Sequence, residues 1–481
     1  MKKLTMLLGA LLGLLLIVFI GLPVLLGRQV DKRLFEIVDQ KIFAQYVDLE
    51  LIDFESGWFR SRARLSAKTG GPMAAFTGLR ADSRQPMIFD VELVHGPVLF
   101  GDQIGLGLAR FVNIVELPMP EDLFDGPPGS FNLKTAMTLR LDGGTDLWVS
   151  SAARHYRMVR RSAFRPEEIR TRFELDWGGF EAHFSISGAA DALRVSITLH
   201  DGLLEVTEKE IKSPIRYGTM RLEGDYEMWR GYPAFGSGWF SWEGLDVNIL
   251  DPAVGVKFAI KRLLISGHTT RASGMVSYGG GLDLAGVEFK GGQLEPVVIN
   301  QAAFEMLITG IKEAVYGQLI ELQGQAPLAM MGLVGRRDFE RRSEALTKQV
   351  FVDGFEFAVP AFDVDMEPGA MHYDHIFTVP AGVIEDIEDP AAALAIDFVG
   401  NFWIDRGLAI WMSKYATTLQ AGLFGRRPGP QELREMAEQA IAQLVSQGYL
   451  QEKGDRLETE IILKNGIFSV GRQVIEDFTP P

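Results

Sequence analysis

The sequence predicts a mainly β protein with some α: an N-terminal transmembrane helix, then elongated antiparallel sheets of amphipathic hairpins with two or three docked helices. Three observations carry this prediction. The chain opens with a long uncharged segment, its body alternates apolar and polar residues with period two, and glycine dipeptides separate the alternating stretches. With 481 residues, 47% of them hydrophobic, the chain can form two or three domains or one elongated structure.

The N-terminal segment has the length of a membrane span. Residues 4–26 form an uncharged, largely apolar run that follows Lys2 and Lys3. As a helix rising roughly 1.5 Å per residue it would measure about 34 Å, enough to cross a hydrocarbon core of about 30 Å. The alternative is a cleaved signal peptide, but its small-x-small site is missing here. We therefore expect residues 1–28 to anchor the chain in a lipid bilayer, and residues 29–45 to extend that helix.

The charges around this run do not assign a membrane orientation. Lys2 and Lys3 precede the run, whereas Arg28, Lys32 and Arg33 follow it, so the two sides are nearly balanced. A large domain that follows a span can cross the membrane regardless of such charges. Charge alone therefore does not predict on which side of the membrane the body of the chain lies.

Beyond residue 45 the apolar residues alternate with polar ones, which is typical of strands with one wet face. The stretches at 131–141, 172–177, 193–199 and 457–464 show this alternation most clearly. Asn465-Gly466 and Asp201-Gly202 suit two-residue hairpin turns, and the glycines at 142–144 and 177–179 predict looser hairpins. The body is therefore expected to be a succession of antiparallel hairpins.

Helices are expected in two places. In residues 300–349, apolar residues at helical spacing predict a helical segment, and Pro430 and Gly448 bound a clear amphipathic helix over residues 430–447. The predicted divisions are an anchor over 1–28, a helical extension over 29–45, a β-rich N-terminal half over 46–299, a helical segment over 300–349 and a β-rich C-terminal part over 350–481. So few helices cannot cover so many one-sided strands, so the sheet either folds on itself or leaves an apolar groove.

Composition excludes several functional classes. The chain has no cysteine, which excludes disulfides, thiolate zinc sites and cysteine nucleophiles. The net charge of −15 disfavours nucleic-acid binding, and the arginines at 154–161 form only a short patch. Phosphate-loop, dinucleotide, nucleophile-elbow and HExxH patterns do not occur. We expect no catalytic residue, no cofactor and no enzymatic activity.

Three segments could in principle carry chemistry. Residues 362–375 hold carboxylates and histidines, but strand geometry points His372 and His375 to opposite faces, so we expect a solvated face and no metal. The aromatic residues at 229–242 predict a local core, with a sugar-stacking or interfacial surface as the alternative. His95 precedes Gly96-Pro97, which predicts a turn and no catalytic role.

Three segments together resemble a known family. The segments are residues 54–68 with Gly57, Phe59 and Ser61; residues 89–110 with the His95-Gly96-Pro97 turn; and residues 454–475 with the Asn465-Gly466 hairpin. In this order they resemble the YdgA-like family of bacterial proteins of unknown function, which carry an N-terminal anchor and a periplasmic body. The resemblance implies a single-pass protein of the bacterial inner membrane with its body in the periplasm. It implies no activity, and it makes these residues landmarks of architecture.

Two functions follow from these expectations. The first is non-enzymatic binding or movement of hydrophobic molecules, such as lipids, in an apolar β-groove. The second is a structural or regulatory envelope protein that binds another protein, for instance through an exposed strand edge. The two differ in whether lipid or a protein partner accompanies the purified chain.

Overall fold

The computed structural model covers most of the body of the chain. It describes residues 47–55, 57, 60–69, 87–95, 98–99, 105–118, 130–161, 169–208, 211–249, 255–291, 296–330, 335–382, 392–423 and 429–477. The predicted anchor over 1–28, its extension over 29–45, and Phe59, Gly96 and Pro97 lie outside the described residues. Within the described ranges, no helix combines the length and the apolar content that a membrane span requires.

The described body is mainly β, as predicted. Strands β1 to β10 are Val47–Glu55, Arg60–Thr69, Met87–His95, Val98–Leu99, Gly105–Leu106, Ala109–Pro118, Ser130–Leu139, Thr145–Ser151, Arg154–Arg161 and Ile169–Trp177. Strands β11 to β19 are Phe180–Ile186, Ala192–Leu199, Gly202–Glu208, Ile211–Tyr217, Met220–Trp229, Tyr232–Trp242, Leu245–Ile249, Val256–Ile260 and Arg262–Ala272. Strands β20 to β28 are Met275–Gly291, Val297–Lys312, Phe355–Met366, Gly369–Val379, Asp397–Asp405, Gln451–Lys453, Arg456–Lys464, Ile467–Val470 and Gln473–Asp477.

Helices are more numerous than predicted. The described helices are α1 Glu313–Met330, α2 Arg336–Asp353, α3 Ala392–Ala395, α4 Arg406–Leu423 and α5 Pro430–Ser446. The expectation of two or three docked helices is therefore too low. The helix predicted over 430–447 forms almost as expected, with Pro430 in its first turn. Leu433, Ala437 and Ile441 of its apolar stripe are buried, whereas Met436 and Leu444 are exposed.

The segment predicted to be helical from residue 300 is a strand until Lys312. The misleading signal was the three-residue step from Ile308 to Ile311, which suits a helix. In the structure this step is a β-bulge, because Tyr278 pairs with Ile308 while Val276 pairs with Ile311. Gly310 supplies the positive φ of 88° at the bulge.

Nearly all strands belong to one antiparallel meander. Its main ladder runs β1-β2-β3-β6-β7-β8-β11-β12-β15-β16-β19-β20-β21-β22-β23-β24-β26-β27-β28. A second ladder, β9-β10-β13-β14-β17-β18, joins the first at the far half of β20. Helices α1 and α2 connect β21 to β22, and α4 and α5 connect β24 to β25.

The second ladder exists because six long strands are bent in the middle. The chain passes directly from β8 to β9, β10 to β11, β12 to β13, β14 to β15, β16 to β17 and β18 to β19, and each passage changes ladder. The bends lie side by side at positions 152–153, 178–179, 200–201, 218–219, 243–244 and 261, and β20 carries Gly286 at the same level. We call this the bend line, and the two halves of the sheet the first arm (β8, β11, β12, β15, β16, β19) and the second arm (β9, β10, β13, β14, β17, β18).

The bend line corrects two predicted hairpins. Asp201-Gly202 was expected to join paired strands, but β12 pairs with β11 and β15 whereas β13 pairs with β10 and β14. The glycines at 177–179 likewise join β10 to β11, which do not pair with each other. At the bend, glycine allows two neighbouring strands to approach each other closely. A side chain at Gly218 would clash with the Glu243 carbonyl of the neighbouring strand.

The alternation of apolar residues shifts by one position at the bend line, yet the apolar face stays on one side of the sheet. Gly218 N–H donates to the Gly244 carbonyl, and Glu243 N–H donates to the Thr219 carbonyl. Residues 218–219 lie opposite 243–244, and consecutive residues bond to the same neighbouring strand, which interrupts the regular alternation of hydrogen-bonded pairs. The apolar rows of the two arms meet on one side of the bend, where Trp177 Nε1 donates to Ser151 Oγ at 2.9 Å.

The sheet therefore has one apolar and one polar face across both arms. In the first arm the apolar face carries Leu147, Val149, Phe180, Ala182, Phe184, Val195, Ile197, Leu199, Leu222, Phe240, Leu263, Ile265, Leu282 and Leu284. In the second arm it carries Tyr156, Met158, Phe173, Leu175, Leu204, Val206, Ile215, Tyr217, Leu245, Val247, Phe258 and Ile260. The opposite face carries mostly charged and hydroxyl side chains.

Two helix pairs cover parts of the sheet. Helix α1 packs on the outer ends of β16 and β20, where Phe235 and Val276 are buried beside Tyr316, and α2 packs on α1. Helices α4 and α5 pack on β22 to β26, where Leu408 and Leu457 are almost inaccessible. Among the described residues, the hydrophobic core thus consists of separate clusters, three of which include helix residues, while a fourth lies among strands around Ala63 and Leu65.

Candidate functional site: the apolar face of the bent sheet

The central part of the apolar face is partly open to solvent. Three of its large side chains are strongly exposed for apolar residues in a sheet: Ile186 at 37%, Leu222 at 37% and Ile265 at 43%. Most of the remaining face residues of both arms are half-buried. Single exposed apolar residues are normal, but a continuous apolar row across neighbouring strands marks a binding surface.

A cavity of about 640 Å³ lies along the bend line. Its apolar lining includes Trp177, Tyr217, Leu245 and Ile260, which belong to β10, β14, β17 and β18 of the second arm. Charged side chains also line it, namely Asp176, Asp201, Arg216, Asp246 and Lys261. Burial raises the pKa of the Tyr217 phenol, so it stays neutral at physiological pH. A hollow with apolar walls and charges nearby suits an amphiphile.

The apolar face carries one buried polar atom at β23. The His375 ring lies among Phe357, Tyr373 and Phe398, with ring centroids 5.2 to 5.3 Å apart. Its Nδ1 is buried without a hydrogen-bond partner, and burial lowers the pKa of His375. The ring is therefore neutral near pH 7 and fits the apolar character of the face.

The polar face holds the main charged cluster of the C-terminal part. His372 Nδ1 lies 2.6 Å from Asp363 Oδ1, and His372 Nε2 lies 3.1 Å from Asp374 Oδ2. The His372 ring stacks on the Trp403 ring. The Arg456 guanidinium carbon lies 3.9 Å from the centroid of the Trp403 ring. Burial alone would lower the pKa of His372, but its hydrogen bonds to the two aspartates outweigh burial and raise it.

The raised pKa of His372 predicts a pH-dependent contribution to stability. The contribution is fully present below the unfolded-state pKa of 6.5 and is lost as the pH rises through the higher folded-state pKa. We expect the His372→Gln variant to have a lower midpoint temperature of thermal unfolding than the wild type at about pH 5.5. At about pH 8.5 the two midpoint temperatures should be nearly equal. Thermal unfolding followed by circular dichroism at both pH values measures this, and an equal loss at both would contradict it.

The carboxylates and histidines of residues 362–375 divide between the two faces of β22 and β23. His372 pairs with Asp363 and Trp403, whereas His375 pairs with Val359 and Gly400, so the two rings point to opposite sides as the sequence predicted. In the part of the chain that the structure describes, no group of three or more such side chains is arranged to hold a metal ion.

The aromatic segment at 229–242 does not form one patch. Trp229 and Phe235 pack beneath α1 as a local core, as the sequence predicted for this segment. Phe240 and Trp242 lie on the apolar face, whereas Trp239 lies on the polar one. The segment therefore contributes to both surfaces of the sheet.

The predicted landmark residues lie at strand ends. His95 is the last residue of β3, in register with Ala109 of β6. Gly57 follows β1, and its N–H donates to Ser61 Oγ at 3.4 Å. Asn465 and Gly466 have φ of 52° and 78° and join β26 to β27 in a two-residue turn.

Comparison with known proteins relates the chain to a bacterial protein family. No curated protein matches the chain, and no solved structure matches it. A family model described as bacterial protein of unknown function matches residues 1–474. The narrower YdgA-like resemblance remains a prediction. Because the match spans nearly the whole sequence, the chain belongs to this bacterial family of unknown function, DUF945.

Proposed function

We propose that the protein binds hydrophobic molecules, above all lipids, on the apolar face of its bent sheet. The observation that carries the proposal is the continuity of that face across both arms, with Leu222 and Ile265 more than a third exposed. Each acyl methylene that leaves water for such a surface gains about 0.8 kcal/mol. Because the charged side chains lie mainly on the other face, an acyl chain on the apolar face would contact mostly apolar side chains.

The N-terminal sequence supports a location for this activity. The uncharged run over residues 4–26 has the length of a bilayer span, and it would tether the sheet beside a reservoir of lipid. We propose an inner-membrane anchor with the body in the periplasm, and no enzymatic step. Binding or moving lipid needs only the apolar face.

A charge introduced into the apolar face should weaken lipid binding. We expect the Ile265→Glu variant of the full-length protein to carry about tenfold less lipid than the wild type, because a carboxylate would have to lose water against the acyl chain. The position is 43% exposed, so the variant should fold. Mass spectrometry of the lipid that accompanies the purified chain measures the effect.

The neighbouring residue provides a matched control. Ser266 is exposed on the polar face of the same strand, so Ser266→Glu adds the same charge without touching the apolar face. It should keep its lipid. Equal lipid loss in both variants, or a wild-type protein without lipid, would contradict the proposal.

One observation favours a second function, the binding of a protein partner. Strand β28 is exposed at every position, with Val474 at 63% and Ile475 at 46%, and in the described structure it pairs only with β27. An exposed apolar edge strand can accept a strand of another protein. A reproducible protein partner on a lipid-free chain, lost on substituting Val474→Lys, would favour this second function.

A further inference from the structure

The polar face of the C-terminal strands carries a row of apolar side chains. Ile376 of β23 pairs with Val399 of β24, and Val399 pairs with Ile462 of β26. Through Ser469 of β27 the row continues to Val474 of β28. Ile376 is 50% exposed, Val399 39% and Val474 63%. Large apolar side chains exposed on neighbouring strands mark an interaction surface, which we call the apolar row.

Helices α4 and α5 cover the other face of the same strands. They pack against Ile404 of β24 and Leu457 of β26. Ile404 follows Val399 by five residues in one strand, and side chains an odd number of positions apart point to opposite faces. The helix pair therefore leaves the apolar row uncovered.

Carboxylates border the apolar row on both sides. Glu356 and Asp397 lie along one border, and Asp374 and Glu460 lie along the other. Asp374 is hydrogen-bonded within the sheet, whereas in the described structure Glu356, Asp397 and Glu460 form no ion pair. Lys464 lies on the border of Asp397 and offsets part of this charge. An exposed apolar row between acidic borders is complementary to an apolar surface with cationic borders.

The spacing and the length of the apolar row fit an α-helix. At a strand spacing of roughly 4.8 Å, the row measures about 19 Å from β23 to β28. An amphipathic helix repeats its apolar stripe about every 5.4 Å, close to the strand spacing, and about 13 residues would cover the row. An extended strand would place its same-face side chains roughly 6.7 Å apart, which is a poorer match.

We propose that the apolar row binds an amphipathic helix of another protein, whose apolar stripe is bordered by lysine or arginine. The stripe would contact Ile376 and Val399, and the cations would lie beside Asp397 and Glu460. This surface goes beyond the proposed lipid site, which lies on the opposite face of the sheet. The competing explanation is structural, because β-branched residues stabilise strands without any partner.

Photo-crosslinking in cells tests the surface directly. Ile376 of the full-length protein is replaced by p-benzoylphenylalanine, the cells are irradiated, and the crosslinked peptides are sequenced by mass spectrometry. We expect adducts on a segment of another protein that has apolar residues three and four positions apart and lysine or arginine beside them. The same replacement at Ile265, on the opposite face, should not crosslink to that segment.

Charge reversal at the borders provides a matched comparison. Asp397→Lys combined with Glu460→Lys should reduce the adducts about tenfold, because the cations of the partner would then face like charges. Glu181→Lys combined with Glu223→Lys makes the same change on the polar face of the first arm and should leave the adducts unchanged. All four positions are exposed, so both proteins should keep the midpoint temperature of the wild type.

Several results would overturn the proposal. These are adducts between two copies of the chain, adducts with lipid, adducts on segments without cationic borders, and equal adducts in the two charge-reversed proteins. The absence of any protein adduct from both Ile376 and Val399 would establish the structural explanation instead. None of these results bears on the lipid site, which Ile265→Glu tests separately.

Discussion

Replacing Gly218 with valine is expected to destabilise the sheet by about 3 kcal/mol, the upper range for forcing extra atoms into a packed site. A Cβ at this position would lie far inside the van der Waals distance of the Glu243 carbonyl oxygen and 2.5 Å from the carbonyl carbon. Both contacts are with backbone, so no side-chain rotation relieves them. The strands β14–β15 and β16–β17 would have to separate at the bend line.

That separation would break the hydrogen bonds that hold the bend. Gly218 N–H donates to the Gly244 carbonyl at 2.6 Å, and Glu243 N–H donates to the Thr219 carbonyl at 2.8 Å. Chemical denaturation followed by tryptophan fluorescence measures the loss. Gly267→Val is the matched control, since a Cβ there would meet its nearest atom, the Tyr278 hydroxyl, at an ordinary van der Waals distance of 3.6 Å. Equal stability of the two variants would show that the close approach at Gly218 is not required.

If Gly218→Val fails to fold, a smaller change keeps the prediction testable. Gly218→Ala places the same Cβ against the Glu243 carbonyl but adds no further atoms. It should still lose stability relative to Gly267→Ala. The bend line is thus expected to tolerate neither substitution, because the clash begins at the first side-chain carbon.

Much of the β architecture was predictable from the local alternation of residues. Period-two stretches such as 193–199 and 457–464 form strands with the expected apolar side, because successive side chains of a strand point to opposite faces of the sheet. Strand geometry also correctly separated His372 from His375. These features depend only on neighbours in sequence.

The bend line was harder to predict because its local signals are those of turns. Asp-Gly and Gly-Gly dipeptides usually reverse the chain, and only pairing between distant strands shows that here they bend it. One signal was present in the sequence: the apolar positions change from odd at Leu199 to even at Leu204. The same shift recurs from Trp242 to Leu245 and from Ile260 to Leu263, which a hairpin reading does not require.

The sequence predicted that an apolar surface would be open, but it did not predict which residues form that surface. One-sided strands with few helices indicated an open apolar surface, but its limits depend on where helices dock and on which strands become neighbours. A row of glycines across β15, β16, β19 and β20 is an example, because Gly224, Gly238, Gly267 and Gly280 lie in four different strands. Only the register of the sheet brings these four residues into one row.

The helix pair α4–α5 covers one end of the apolar face. Truncating Leu408, its most buried side chain, should loosen the packing of the two helices on the sheet. Leu408 is fully buried with Met366, Ile404, Ile441 and Leu457. Leu408→Ala is expected to cost about 3 kcal/mol, from the lost transfer energy and the cavity that remains. Met412 of the same helix is 45% exposed, so Met412→Ala should change stability by less than about 0.5 kcal/mol.

The loss at Leu408 should be local, because α4 and α5 pack on each other and on β22 to β26 and not on the bend line. Hydrogen exchange should accelerate in Arg406–Leu423 and Pro430–Ser446 while the two arms keep their protection. Loosened helices would uncover Ile404 and Leu457, so the variant should also bind more hydrophobic dye. Faster exchange throughout the sheet would mean instead that the helix pair and the bent sheet unfold as one cooperative unit.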